Sequence, residues 1–368
     1  MSDLFTRYAN LETPYHQTFF AGANTADGFI GAYDVFIREA ELTRLFILKG
    51  GSGTGKSSLI KTCAEIARKQ GSEVTMLLCS SDPSSADAVI LRGKNGNTAA
   101  IVDGTAPHTR DPLFPGAVSR IVNAGDHWDS LYLQKHREEI TLRTMEKKEA
   151  YERAYRFLGA YRHLTSVQRQ LLLPCIDGEK MAAAAQRIAA ALTPGKIAPL
   201  CTRYTYALSM TGAWHLPVFT ERARIQYRVL DAYGTGSFFL QSVQEAASVR
   251  CPLLYSPIPA CPEYAAELYA EGADASFSLT EERTSTEANV HYVNMQRFLY
   301  RKELAQIRTR LRFTDRCREM LFDGALDALS DARRAHFALE EIYKSAMDFD
   351  GLRRETNRIC EEIGDLLG

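Results

Sequence analysis

Leu45-Phe46-Ile47-Leu48-Lys49-Gly50-Gly51-Ser52-Gly53-Thr54-Gly55-Lys56-Ser57-Ser58 is the stretch on which the reading of this chain turns. A short apolar run ends in a glycine-rich turn, and residues 56–70 continue with helical periodicity. Gly50 to Ser57 fits G-x-x-x-x-G-K-[ST], a pattern in which each residue type has a task. Glycines let the backbone bend so that successive N–H groups point inward around an anion. The helix beginning near Lys56 aims its positive end at the same place. Lysine supplies a point charge for the β- and γ-phosphates of a nucleotide, and the Ser57 hydroxyl is a ligand for Mg²⁺. Gly50, Gly51, Ser52, Gly53, Thr54, Gly55, Lys56, Ser57 and Ser58 are therefore the candidate nucleotide-binding residues, with ATP and Mg²⁺ expected there.

Such a loop needs an acid at the end of a neighbouring strand to hold the metal. Ala99-Ala100-Ile101-Val102-Asp103 has the required pattern, so Asp103 joins Ser57 as a candidate metal ligand and Lys56 as a candidate catalytic residue. Asp82 follows another apolar run, Val74 to Cys79, but precedes Pro83, where turn capping is at least as good a reading. After Asp103 the chain runs Gly104-Thr105-Ala106-Pro107-His108-Thr109-Arg110, a loop expected near the γ-phosphate. His108 there is a candidate to polarise a water or a substrate hydroxyl, and Arg110 to meet developing phosphate charge.

The details narrow the subclass. Gly104, not Glu, follows Asp103, so the adjacent base of many motor-type ATPases is missing, and the Asp-Gly pair resembles small-molecule kinases. An N-K-x-D guanine motif and an L-S-G-G-Q signature are both absent, which favours ATP over GTP by exclusion. Lys49 stands seven residues before Lys56, too far for the signature lysine of MinD-like ATPases.

Working outward, apolar strand-like runs alternate with helical stretches over the first 125 residues, which predicts a parallel sheet covered on both faces. Residues 130–163 and 178–192 read as helices, as does most of 284–366 with a break at Asp348-Phe349-Asp350-Gly351. A weak internal repeat emerges: Tyr227 to Leu230, Gly234-Thr235-Gly236, a helical stretch to Ala247, then Cys251 to Ser256 and Ala275 to Leu279 follow the order of the first segment. Aligned on Gly-Thr-Gly, Gly50 becomes Asp231, Lys56 becomes Ser237, Ser57 becomes Phe238, and the acid-bearing strand ends at Leu279. The second repeat thus loses its cation and metal ligand and gains a carboxylate. The expected organisation is an α/β P-loop NTPase domain over 1–125, helices over 126–200, a degenerate second P-loop-like repeat over 201–282, and a helical region over 283–368.

Composition bounds the rest. The 368 residues are 45% hydrophobic with a net charge of −1, which excludes a disordered or collagenous chain and any global case for nucleic-acid binding. No apolar run is long enough to span a bilayer, and Met1 to Arg7 lacks a basic segment followed by an apolar one. Eight cysteines without C-x-x-C or zinc spacing read as reduced thiols of a cytoplasmic protein. Locally, residues 297–318 carry eight basic side chains against Glu303 and Asp315. Arg301, Arg308 and Arg312 lie on one helical face, a weak signal for a phosphate-rich partner such as nucleic acid.

Lys49-Gly-Gly-Ser-Gly-Thr-Gly-Lys-Ser-Ser58 together with Asp103-Gly-Thr-Ala-Pro-His108 resembles an uncharacterised bacterial family of tandem P-loop ATPases. Further likeness lies in Asp111-Pro112, Pro115-Gly116-Ala117, Asp126-His127-Trp128, Ala154 to Leu158, and Leu339 to Tyr343 with Met347-Asp348-Phe349. The resemblance implies ATP binding and hydrolysis at two Walker A loops, of which this chain keeps only the first. Small-molecule or nucleotide phosphorylation, and nucleotide sensing without turnover, are the alternatives. Beside the nucleotide, a protein or small-molecule partner is expected.

Overall fold

The computed structural model describes residues 4–11 and 17–368; the start of the N-terminal stretch, residues 1–3, lies outside them. The first half contains β1 (Ala9–Asn10), β2 (Gln17–Phe20), the hairpin β3 (Gly22–Thr25) and β4 (Gly28–Gly31), α1 (Tyr33–Phe36), β5 (Arg44–Lys49), α2 (Lys56–Lys69), β6 (Glu73–Leu78), β7 (Ala86–Arg92), β8 (Thr98–Asp103) and β9 (Ser119–Asn123). Helices α3 (Ser130–Lys135), α4 (Arg137–Leu172) and α5 (Gly178–Ala191) follow. The second half repeats the order with β10 (Cys201–Thr202), the hairpin β11 (Tyr206–Ser209) and β12 (Gly212–His215), α6 (Val218–Arg222), β13 (Ile225–Leu230), α7 (Gly236–Ser248), β14 (Leu253–Ile258), β15 (Cys261–Ala270), β16 (Ala275–Thr280) and β17 (Val290–Asn294). Helices α8 (Arg301–Ala346) and α9 (Phe349–Leu367) complete the chain.

Two six-stranded sheets result, ordered β2-β6-β7-β8-β5-β9 and β10-β14-β15-β16-β13-β17. Position by position they carry equivalent strands, so the repeat glimpsed in the sequence is a duplication of architecture. The class is mixed α/β. The expectation of a parallel sheet needs correction, because β7 pairs antiparallel with both β6 and β8, and β15 does the same between β14 and β16. A tight turn at Gly93–Gly96, with Gly96 at φ 85°, makes β7 and β8 a hairpin, and a hairpin reverses direction where a helical crossover would preserve it. β5 remains parallel to both its neighbours, β8 and β9.

The boundaries shift for the same reason. β17 pairs in parallel with β13, so the second sheet runs past residue 282 to Asn294. Nor do the helices stand apart as separate segments. α4 and α8 pack antiparallel along their length, with Ala150, Ala154 and Leu158 facing Ala325, Ala328, Leu329 and Ala332. Small side chains permit the close approach, and a Cβ on Gly324 would meet the Phe157 ring at 2.9 Å. Each helix carries the chain across to the opposite repeat. α5 packs on α7, burying Met181, Ala185 and Ala189 in the second core. α9 packs on α2, burying Leu352, Ile359, Ile363 and Leu367 in the first. Arg44 and Arg120, on β5 and β9, ion-pair with Glu362 at 2.6 and 2.8 Å. The free thiols of Cys63 on α2 and Cys360 on α9 face each other with sulfurs 2.7 Å apart.

Bridges at the two crossings show the symmetry. Trp128 pairs with Met347, and Ile176 with Leu299. The amide of Asp348 donates to His127 O and that of Asp177 to Phe298 O; both aspartates cap the helix that follows. Among the described residues no helix is long and apolar enough to cross a membrane.

Because α9 completes the first core from the far end of the chain, Ile359→Ala should lower stability by about 2–5 kcal/mol, the usual cost of a buried isoleucine truncation. A urea midpoint shift worth less than ~1 kcal/mol would show α9 to be an accessory.

Candidate functional site

The loop between β5 and α2 takes the conformation its glycines permit. Gly53 and Gly55 have φ of 72° and 83°, in the left-handed region that favours glycine. Close packing forbids side chains as well. A Cβ on Gly51 would lie 2.8 Å from the Tyr343 ring, one on Gly53 2.8 Å from Glu340 O, and one on Gly55 2.6 Å from Leu352. The α8–α9 corner, arriving from the second repeat, therefore sits on the loop. Trp128 reinforces this contact, its ring centroid 5.8 Å from that of Tyr343.

Within the loop, Lys56 is buried with its ammonium turned inward. Nζ donates to Gly51 O at 2.6 Å and Gly50 O at 3.1 Å, and lies 3.6 Å from Asp103 Oδ2. Asp103 is the last residue of β8, the strand beside β5, and its Oδ1 accepts from the amide and hydroxyl of Thr105. Ser57 Oγ accepts from Ala86 N at 2.8 Å, keeping its own proton and a second lone pair free. Thr54 Oγ1 donates to Gly51 O at 2.8 Å and closes the loop, while Ser58 is exposed on the first turn of α2. The structure thus brings together Lys56, Ser57 and Asp103.

Asp87, on the antiparallel strand β7, is a member the motif does not mark. It is buried, accepts from Tyr33 Oη at 3.0 Å, and lies 3.6 Å from His108 Nε2. Burial, seconded by the charge of Asp103, pushes its carboxyl up to about 7 against the pull of Tyr33, Cys79 and Lys56. The signal present in the sequence is the apolar run Val89-Ile90-Leu91 before Gly93-Lys94-Asn95-Gly96, which spells a strand entering a hairpin.

His108 stands against Phe29 and Tyr33, with ring centroids 4.6 and 5.1 Å away, and its buried Nδ1 has no partner among the described residues. Burial holds its pKa below the usual histidine value, opposed by Asp103 and assisted by Lys56. The imidazole is therefore neutral and close to the loop. Arg110 is not free for phosphate: Nη2 donates to Ile37 O at 2.8 Å and Nη1 to Asp34 at 3.2 Å, which fastens its loop to α1. Lys49 fastens the same loop through Gly104 O and Arg110 O, both at 2.8 Å. Asp82 accepts from the amide and hydroxyl of Ser84, a turn cap.

At the equivalent loop of the second repeat, Asp231 is buried and turned into the backbone. Its Oδ1 accepts from Tyr233 N and Thr235 N at 3.1 and 2.9 Å, and Oδ2 from Gly236 N at 2.7 Å. An internal carboxylate occupies the donors that the first loop leaves for an anion. Register places Leu279 opposite Val229 as Asp103 is placed opposite Leu48, so no acid ends that strand. Arg308, Arg312 and Arg316 of the basic stretch share a cleft with Asp231, Glu281, Asp315 and Glu319. Compared with protein-family models, curated proteins and solved structures, the chain matches none.

Among the described residues no three acidic, histidine or cysteine side chains converge on one metal position. One hydroxyl and one or two carboxylates beside a glycine-rich loop nonetheless suit Mg²⁺, a cation that keeps waters and binds through few protein carboxylates.

The raised Asp87 carboxyl gives a signed test. The folded protein holds a proton there that the unfolded chain releases near pH 3.8, so this group's stabilising contribution is full below that value and falls as pH rises toward about 7. Asp87→Asn should remove a decline of roughly 2–4 kcal/mol between pH 4 and 7.5. Urea midpoints for wild type and variant that run parallel across this range would contradict the assignment.

Proposed function

We propose that the chain is a P-loop nucleotide-binding protein that binds Mg²⁺–ATP at residues 50–58 of its first repeat and hydrolyses it slowly. The observation that carries this reading is the convergence of Lys56, Ser57 and Asp103 at one end of β5 and β8, with Lys56 Nζ 3.6 Å from Asp103 Oδ2. Loop amides and Lys56 would hold the β- and γ-phosphates, the ammonium exchanging its carbonyl partners for phosphate oxygens. Ser57 and Asp103 would hold Mg²⁺, which when bound neutralises charge between the β- and γ-phosphates.

Hydrolysis forms a bond from water oxygen to Pγ while the bond from Pγ to the β–γ bridging oxygen breaks. The electron pair of the broken bond leaves with ADP, and the water proton ends on the released phosphate. Asp87 and the neutral His108, both near Asp103, would orient that water. The internal carboxylate of Asp231 supports a single competent site, since the second loop already holds an anion of its own.

Lys56→Ala should weaken ATP binding at least ~10-fold and abolish phosphate release, since it removes the one cation of the loop. Calorimetric titration with ATP and a phosphate-release assay, each with and without Mg²⁺, check this. Unchanged binding by the variant would show that the site is elsewhere. ADP formation only when a hydroxyl acceptor is added would replace hydrolysis by phosphoryl transfer.

A further inference from the structure

The long helices do more than connect the repeats. Trp128 with Met347 and Leu299 with Ile176 fix a single offset over the helical arms of the two halves, and that offset carries Lys147 of α4 onto Arg318 of α8 and Glu340 onto Arg169. Each of these side chains belongs to a helix roofing one of the two loops. Over the second loop, Arg169 donates to Ser237 Oγ and is sandwiched by the rings of Phe238 and Tyr264 at 3.6 and 3.9 Å. Arg318 is fully employed there. It donates to Tyr161 Oη at 2.6 Å, to Thr165 Oγ1 at 3.0 Å and to Gln168, and lies 3.5 Å from Asp315. Beneath it the loop carries its own carboxylate, Asp231. The second site is an ionic and aromatic cluster whose charged groups partner one another.

Over the first loop the matching cation has no such employment. Lys147 is half-buried and makes no ion pair among the described residues. Its ammonium is within electrostatic range of Lys56, Cys79 and Glu340. Glu340 is already engaged, with His336 at 3.4 Å and Lys344 at 3.1 Å, and its backbone carbonyl packs on Gly53. The register of α4 here is set one and two turns further on. Tyr151 stands beside Ser81, and Tyr155 Oη donates to Asn24 Oδ1 at 3.1 Å. Asn24 in turn donates to Ser81 Oγ and Leu208 O, so both repeats hold the helix in place. Cys79, just after β6, lies beside Asp87, which in turn faces Asp103. Burial lowers the Lys147 pKa, opposed by Cys79 and Glu340 and assisted by Lys56, a cost that a bound anion would relieve.

We propose that Lys147 is a second phosphate-contacting cation of the first-repeat site, carried by α4 from outside the sheet onto the γ-phosphate of the bound nucleotide. This rests on the reading of residues 50–58 as a nucleotide site. Charge builds on the oxygens of the transferring phosphoryl group and on the departing bridging oxygen as the bond from Pγ breaks. A cation held there by a rigid helix stabilises that state without reorganising. Because ADP lacks the γ-phosphate, Lys147 also makes the site discriminate ATP from ADP. Its failure to pair with protein carboxylates, where Arg318 does pair, is what this role requires.

The test uses the full chain as wild type, Lys147→Met, Lys147→Arg and Lys56→Ala, with ATP and ADP affinities, phosphate release and thermal midpoints. Lys147→Met should weaken ATP at least ~10-fold more than ADP, slow phosphate release ~10²–10³-fold and leave the thermal midpoint unchanged. Lys147→Arg, which keeps the charge, should restore most of the ATP preference. Lys147→Met with wild-type turnover and ATP/ADP preference would overturn the proposal while leaving the nucleotide site intact. Equal loss of ATP and ADP binding in both Lys147 variants, with a lowered midpoint, would assign the residue a structural role and overturn it too. No binding of either nucleotide by wild type would overturn the reading of the site itself, and this inference with it.

Discussion

Everything in this molecule depends on the antiparallel packing of α4 against α8. Neither sheet completes its own core, because the helix that covers α2 belongs to the end of the chain and the helix that covers α7 belongs to the middle. Two long helices with small residues at their contact, Ala154 and Gly324 among them, deliver these covers across the molecule. The same crossing brings Glu340 and Tyr343 against the glycines of the loop between β5 and α2, so a backbone contact there links the loop to the opposite repeat. A loop conformation and a helix position are thus joined by van der Waals contact at a place with no room for adjustment.

Between the repeats the architecture is kept and the electrostatics are exchanged. In the first, a buried lysine stands among inward-facing backbone carbonyls beside two carboxylates, one of them raised by burial and by the other's charge. In the second, an aspartate satisfies the loop amides, and arginines from α4 and α8 fill the roof. Buried charges persist only when paired or hydrogen-bonded, so each site had to be neutralised in its own way. The second does so internally. In the first, the proposed nucleotide supplies the missing anion.

How much of this the chain announces depends on the distance over which its residues act. The glycine-rich loop is contiguous, and its glycine spacing, lysine and serine can be read without help from elsewhere. The departure at Asp231, Ser237 and Leu279 was equally readable once the two Gly-Thr-Gly turns were aligned. β7 escaped because a hairpin strand has no helix beside it to mark alternation, and Asp87 went with it. Its character comes from Tyr33, His108 and Asp103, which approach only when β7 turns back between β6 and β8. Arg110 reads as a phosphate ligand by position, yet Ile37 O and Asp34 hold it.

The sequence by itself determined the loop that can bend around an anion, the cation and hydroxyl within it, and the loss of both from the second repeat. These follow from residue type and spacing within a few positions. Tertiary structure alone decided that the sheets are mixed, that each core is closed by the other half's helix, and that Glu340 and Tyr343 stand over the loop. Those outcomes rest on contacts between residues far apart in the chain, where hydrophobic burial and charge pairing choose among arrangements that local pattern leaves equal.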